Sequence, residues 1–154
     1  MDKIKFLDLG KQPIANGFLD GTEDFENEFF YNLSVGYDTD TSLITQMDYV
    51  DKERMFNDSY AYRGSMSKTM RKHFEKVSNC LKKDLDNDPK VLEIGSNDGV
   101  FLKNWDQYST FAVEPCGNFA EETNNMGYKT YADFWNMETS NKILEEQYAM
   151  DLVF

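Results

Sequence analysis

A short polar turn with two glycines follows an apolar stretch in the second half of the chain. Residues 91–94 read Val-Leu-Glu-Ile, and residues 95–99 read Gly-Ser-Asn-Asp-Gly. Glycine is needed where the backbone turns at positive φ or approaches a ligand without a Cβ. A helix after the turn would present unpaired N–H groups. Because open α/β sheets bind ligands at the carboxyl ends of their strands, the pattern predicts a small-ligand site here.

A second acid strengthens this prediction. Glu114 lies near the end of the stretch "TFAVEP", 21 residues after Glu93. A carboxylate at the tip of the second strand typically accepts hydrogen bonds from ribose hydroxyls, so an adenosyl group with its ribose and a methionine tail would fit. The chain lacks G-x-G-x-x-G and the P-loop motif, which makes NAD and ATP less favoured ligands. The alternative is an ordinary tight turn with an exposed Glu.

The elements around these residues alternate between strand and helix. Strands are predicted at "KVLEIGS", "TFAVEP", "YKTYAD" and "MDLVF", and helices at "GVFLKNW", "NFAEETNNMG" and "METSNKILEEQ". Such alternation favours a parallel α/β sheet with right-handed crossovers. We therefore predict an α/β, partial Rossmann-like domain of about four parallel strands at residues 88–154. A small, mostly β module at residues 1–62 and a connecting helix within residues 63–87 precede it.

The connecting helix is strongly basic. Apolar residues at spacings of three and four place one face against the core, and Ser65 or Ser67 could cap the helix. Residues 63–83 hold seven of the sixteen basic residues and one acid. Charge runs usually solvate a helix surface. The other interpretation is a contact with an anion such as a nucleotide-sugar diphosphate, for which the candidate substrate-binding residues are Arg63, Ser65 and Lys68.

Composition excludes several classes of function. The net charge of −12 opposes nucleic-acid and anionic-membrane binding, which need excess Lys and Arg. There is no apolar run near the roughly 18 residues of a membrane span and no signal peptide at the N-terminus, so we expect a cytoplasmic protein. Cys80 and Cys116 lie far apart without a CxxC motif, which predicts two buried, reduced thiols and no metal site.

Longer stretches resemble a known family. "VLEIGSNDGVFLKNW", "FAVEPCGNFAEE" and "MGYKTYADFW" are similar to the cofactor half of S-adenosylmethionine-dependent C-methyltransferases that act on nucleotide-linked deoxysugars. "LDLGKQPIANGF" resembles that family's N-terminal module, and "MFNDSYAYRGSMSKTMRKHF" resembles the segment that joins the two. The similarity covers nearly the whole chain.

The resemblance assigns roles to individual residues. It implies that the turn wraps the methionine part of S-adenosylmethionine or S-adenosylhomocysteine and that Glu114 holds the ribose. Tyr60 and Tyr62 would lie near the sugar as candidate catalytic residues, although a phenol with a reference pKa of roughly 10 is a poor base. The other interpretation of both tyrosines is core packing. The candidate cofactor-binding residues are Glu93, Gly95, Ser96, Asn97, Asp98, Gly99, Glu114 and Pro115.

Two departures from the family shape the expectation of function. The family's N-terminal module binds zinc through four cysteines, whereas residues 1–62 hold none, so we expect a metal-free module. Family members also continue beyond the fourth strand, through the residues assigned to catalysis. We therefore expect a truncated methyltransferase that binds the cofactor but needs a partner or a missing C-terminal half to methylate a nucleotide sugar. The alternatives are a non-catalytic binding protein and a pseudoenzyme acting in assembly.

The predicted fourth strand bears on assembly. In the family it has a neighbour on its far side, so here "MDLVF" is expected to be an exposed apolar edge. Such edges pair with other chains. A homodimer through this strand, or a separate C-terminal half, would cover it.

Overall fold

The chain forms two sheets of different kinds in two compact units, Met1–Phe56 and Asn57–Phe154. A computed structural model describes residues 3–154, apart from the side chains of residues 22–24. Residues 1 and 2 of the predicted N-terminal module lie outside the described residues. The α/β class and the mostly β character of the first unit agree with the sequence prediction.

The first unit is a three-stranded antiparallel sheet in the order β1-β2-β3. The strands are β1 (Lys3–Pro13), β2 (Phe30–Asp38) and β3 (Ile44–Gln46), with a 3₁₀ turn at Thr22–Asn27 and the short helix α1 (Lys52–Met55). The β1 register shifts between Asp8 and Lys11, where Gly10 adopts φ +69° and donates its amide to Asp8 Oδ1 at 2.9 Å. The glycine permits this bulge because a side chain disfavours positive φ.

The second unit is a four-stranded parallel sheet in the order β6-β5-β4-β7. Its strands are β4 (Val91–Ile94), β5 (Thr110–Val113), β6 (Lys129–Tyr131) and β7 (Leu152–Val153). All four predicted strands are confirmed. On one side of β4 lie β5 and then β6, whereas β7 pairs with the other edge of β4.

Helices cover both faces of this sheet. The helices are α2 (Lys68–Leu81), α3 (Gly117–Asn125) and α4 (Met137–Gln147). Successive residues of a strand point to opposite faces, so Val91 packs with Phe101 and α2, while Leu92 packs with Ile143 of α4. Complete burial of a side chain such as Phe101 contributes about 2 kcal/mol.

Local signals explain where the helices begin and end. The Ser67 hydroxyl accepts the Met70 amide at 3.2 Å, which makes Ser67, one of the two serines considered, the cap of α2. The Asn136 side chain caps α4 in the same way. Gly127, the glycine at which the helix predicted at "NFAEETNNMG" was expected to end, follows α3 and adopts φ +99°.

The α-helix predicted at "GVFLKNW" is wrong. The structure has a 3₁₀ turn at Leu102–Asn104, and Trp105 is already extended. The Asn104 side-chain amide donates to the carbonyls of Val100 and Phe101, both at 3.1 Å. A side chain that bonds these carbonyls competes with continuation of the helix.

The two cysteines differ in burial. Cys116 is buried, but Cys80 is exposed on α2, so the prediction of two buried thiols is wrong for Cys80. Position 80 precedes the last residue of the helix, outside its apolar stripe.

Among residues 3–154, none of the helices combines the length and the apolar character that crossing a bilayer requires.

Candidate functional site

The glycine turn (residues 95–99) lies at the carboxyl end of β4, and its two glycines serve different needs. Gly95 has φ +77°, and a Cβ built on it would meet nothing within 4 Å, so open space lies in front of it. Gly99 has φ +75°, and its added Cβ would lie 3.1 Å from the Thr123 methyl group of α3. Gly95 therefore leaves room for a ligand, while Gly99 allows close packing.

Glu114 joins the turn to the next loop. Its carboxylate is 4% exposed at the end of β5. Oε2 accepts the Asn97 amide at 2.7 Å, and Oε1 accepts the Cys116 amide at 2.8 Å. The two oxygens together offer about four lone pairs, of which the two amides and the Cys116 thiol use three, so the carboxylate can accept one further hydrogen bond from a hydroxyl group. Pro115, directly after it, is half-buried.

Glu93 is a buried acid with unused hydrogen-bonding capacity. It is 5% exposed, and its Oε2 has no partner among the described residues. Burial, followed by the negative charges of Glu114 and Asp98, raises the pKa of the Glu93 carboxyl well above its usual range. The buried Ser96 hydroxyl also lacks a partner in the described part of the chain. Buried polar atoms are normally paired, so these two atoms suit a polar or cationic ligand group.

The other two side chains of the turn hold a neighbouring stretch, residues 58–65, which we call the bridging segment. Asn97 Oδ1 accepts the Gly64 amide and its Nδ2 donates to the Tyr62 carbonyl, each at 2.9 Å. The completely buried Asp98 accepts the Ser65 hydroxyl at 2.5 Å and the Ser65 amide at 3.1 Å. The structure thus brings the predicted turn and the predicted substrate residue Ser65 together.

The other end of the bridging segment contacts the start of α3. Asp58 Oδ1 accepts the Gly117 amide at 2.9 Å, and the Tyr60 carbonyl accepts Asn118 Nδ2 at 3.2 Å. The Tyr60 ring meets Phe119 edge to face, with 6.4 Å between centroids. Asp58 and Asn118 were not among the sequence-predicted residues. A carboxylate at a helix N-terminus is a favourable arrangement, but no local pattern connects residues so far apart in sequence.

Two of the predicted substrate-binding residues, Arg63 and Lys68, and the candidate catalytic Tyr62 occupy three environments. Arg63 forms an ion pair with Glu122 at 2.6 Å and lies 5.0 Å above the Phe119 ring centroid. Tyr62 is 47% exposed. Lys68 is exposed on the first turn of α2, whereas the hydrogen bonds of Asn97 and Asp98 to the bridging segment go to Tyr62, Gly64 and Ser65. The site therefore gathers Tyr60, Tyr62, Arg63 and Ser65, but not Lys68.

Hydrogen-bonded carboxylates organise the N-terminal unit. Asp48 Oδ2 accepts the Ser34 hydroxyl at 2.7 Å and Asn32 Nδ2 at 3.1 Å, which lowers the pKa of Asp48. Asp38 Oδ1 accepts the amides of Asp40 and Thr41, and these bonds lower its pKa as well. These bonds connect β2 to the chain around β3.

Comparison with known proteins connects this unit to methyltransferases. Residues 1–56 match a methyltransferase-associated family whose description is "putative zinc binding domain". No curated protein matches the chain. Structural zinc sites use Cys and His ligands, and residues 1–56 contain neither. No cluster of three or more potential ligands occurs among the residues whose side chains the structure describes, so this donor set does not fit zinc.

Proposed function

We propose that residues 57–154 form a Rossmann-like domain that binds S-adenosylmethionine, as part of a methyltransferase for nucleotide-linked sugars. The observation that carries this proposal is the position of the glycine turn in the sheet. Strand order reverses at β4, because β5 pairs with one edge of β4 and β7 with the other. In open α/β sheets, ligands bind at the carboxyl ends of strands where the order reverses. The turn leaves β4 at that point.

The residues of the turn suit the parts of this cofactor. The open space in front of Gly95 admits the methionine part, and the unpaired oxygens of Glu93 and Ser96 would hold its polar groups. Glu114 would accept a ribose hydroxyl through its remaining lone pair. When bound, the cofactor supplies a methyl group on a positively charged sulfur. Buried carboxylates favour a cationic ligand, which supports the assignment.

The bridging segment supports a sugar-nucleotide substrate. Tyr62 is exposed, and Arg63 has five N–H donors, of which the ion pair with Glu122 uses one at NH1. Arg63 would bind a diphosphate, and Tyr60 and Tyr62 would contact the sugar. The match of residues 1–56 to a methyltransferase-associated family is independent support for the class of enzyme.

Titration calorimetry with S-adenosylhomocysteine tests the proposal. The informative variant is Gly95→Asn, because asparagine tolerates positive φ but fills the open space. Gly10→Asn is the matched control, since Gly10 also has positive φ and open space in front of it. We expect binding near one ligand per chain for the wild type and Gly10→Asn, and at least about tenfold weaker binding for Gly95→Asn. Equal affinity in all three proteins would refute the site.

Incubation with S-adenosylmethionine and a set of nucleotide-linked keto-sugars tests the reaction. Methylated sugar detected by mass spectrometry supports transfer. Cofactor binding without product is the outcome expected both for a chain that needs a partner or a C-terminal half and for a non-catalytic binding protein, so only product formation decides between them.

A further inference from the structure

Two polar side chains of the glycine turn, those of Asn97 and Asp98, contact the bridging segment. Asn97 exchanges two hydrogen bonds with the backbone of the bridging segment, one to Tyr62 and one from Gly64. Such a pair fixes both the position and the orientation of a backbone stretch. Asn97 itself adopts φ +49°, a conformation that asparagine tolerates better than most residues.

Asp98 contacts the bridging segment at Ser65. Its carboxylate is completely buried and receives both the hydroxyl and the amide of Ser65. The Arg71 guanidinium of α2 donates to the Ser65 carbonyl, so Ser65 is held on both sides.

The contacts at Asp58 and Tyr60 fix the opposite end of the segment to α3. Tyr62 and Arg63 lie between the two attached ends. Their backbone positions therefore depend on the contacts that Asn97 and Asp98 make with the segment, and the Arg63 side chain is also held by Glu122 of α3.

We propose that Asn97 and Asp98 are positioning residues, which couple ligand binding at the glycine turn to ordering of the bridging segment. The turn backbone and these two side chains belong to the same residues, so a ligand that fixes the backbone also fixes the acceptors for Gly64 and Ser65. Ordering of the bridging segment therefore costs less conformational entropy when the ligand is bound than when it is not. Because coupling is reciprocal, an ordered segment favours the ligand-bound turn, so loss of the Ser65 contact weakens ligand binding.

The coupling predicts an order of substrate addition, and this part rests on the proposed function. Tyr62 and Arg63 become correctly placed for the sugar nucleotide when the turn is occupied. The cofactor therefore binds first, and the nucleotide sugar binds to the ordered segment.

Amide hydrogen exchange of the whole chain, read by NMR, tests the coupling. Ser65→Ala removes the hydroxyl that contacts Asp98, Ser65→Thr restores a hydroxyl, and Ser59→Ala is the same change at an exposed serine of the bridging segment. We expect exchange of the residue 64 and 65 amides to be at least about tenfold faster in Ser65→Ala, near wild type in Ser65→Thr and unchanged in Ser59→Ala. Equal exchange in Ser65→Ala and Ser59→Ala would overturn the positioning role.

Added S-adenosylhomocysteine separates the coupling from the proposed function. We expect the ligand to slow exchange at residues 64 and 65 in the wild type and to bind several-fold more weakly to Ser65→Ala than to Ser59→Ala. Binding without a change in this exchange would overturn the coupling. Failure of the wild type to bind would refute the proposed ligand and the coupling to it, whereas the ligand-free exchange rates would still decide whether Asp98 positions the segment.

Discussion

Glu93 lies buried beside Glu114, and burial together with the charge of Glu114 raises the pKa of the Glu93 carboxyl well above its usual value. Asp98 adds a third negative group, and the Tyr128 phenol also faces Glu93. Only the Leu102 backbone amide, which donates to Glu93, lowers this pKa. In the folded protein without a ligand, Glu93 therefore retains its proton to a higher pH than it does in the unfolded chain.

This raised pKa predicts the pH dependence of stability. The unfolded chain releases the Glu93 proton around its ordinary pKa of 4.5, whereas the folded protein releases it at the raised value. The stabilisation is complete below pH 4.5 and is lost as the pH rises through the folded-state pKa. Glu93→Gln removes the titration, so we expect its free energy of unfolding to exceed that of the wild type by at least about 1 kcal/mol at high pH.

Thermal unfolding between about pH 5 and pH 9 checks this prediction. Glu145→Gln changes the net charge equally at an exposed position of α4 and serves as the control. The difference between Glu93→Gln and the wild type should grow with pH, and that of Glu145→Gln should not. Parallel curves for all three proteins would contradict a raised pKa at Glu93.

The two cysteines should differ in reactivity. Cys116 is 1% exposed, and burial, followed by its hydrogen bond to Glu114 and the charge of Glu114, raises the thiol pKa to about 12. The thiolate is the reactive form, so we expect an alkylating reagent near pH 8 to modify one thiol, that of exposed Cys80. Mass spectrometry should find no rapid modification of folded Cys80→Ser and full modification after unfolding. Rapid labelling of Cys116 in the folded variant would contradict its burial.

The N-terminal unit should be stable without zinc. We expect a chelator to leave the thermal unfolding of the purified chain unchanged, since residues 1–56 offer no Cys or His ligand. Asp48→Ala should lower the unfolding temperature, because the Ser34 hydroxyl and the Asn32 amide both lose their acceptor. Asp40→Ala, at an exposed turn position, is the control. Destabilisation by the chelator that added zinc reverses would refute a metal-free unit.

Some features of the fold could be read from the sequence because their signals are local. The apolar runs before Gly95 and Glu114 predicted β4 and β5. The alternation of predicted strands and helices indicated that the two strands are parallel and therefore end at the same edge of the sheet. The helix predicted after the turn was wrong, because the outcome depends on how one side chain, Asn104, bonds two carbonyls. A helical stretch and a 3₁₀ turn can share the same apolar pattern.

The contacts of the bridging segment could not be predicted in this way. Asn97 and Asp98 were expected to contact the cofactor because they lie in the turn. Their partners, Gly64 and Ser65, are single residues 33 positions earlier, and one hydrogen bond between two distant loops leaves no periodic pattern. Whether these side chains also contact a ligand is a separate prediction.

The bridging segment is synthesised before the parts of the chain that hold it. Its partners on the turn and on α3 lie 33 to 59 residues later. Loop closure over such distances costs entropy before any contact forms, so we expect the segment to dock after β4 and β5 have paired. The same segment should be among the first to open by local unfolding. The residence time of a ligand would then be set by how often these few residues detach, while the sheet beneath stays intact.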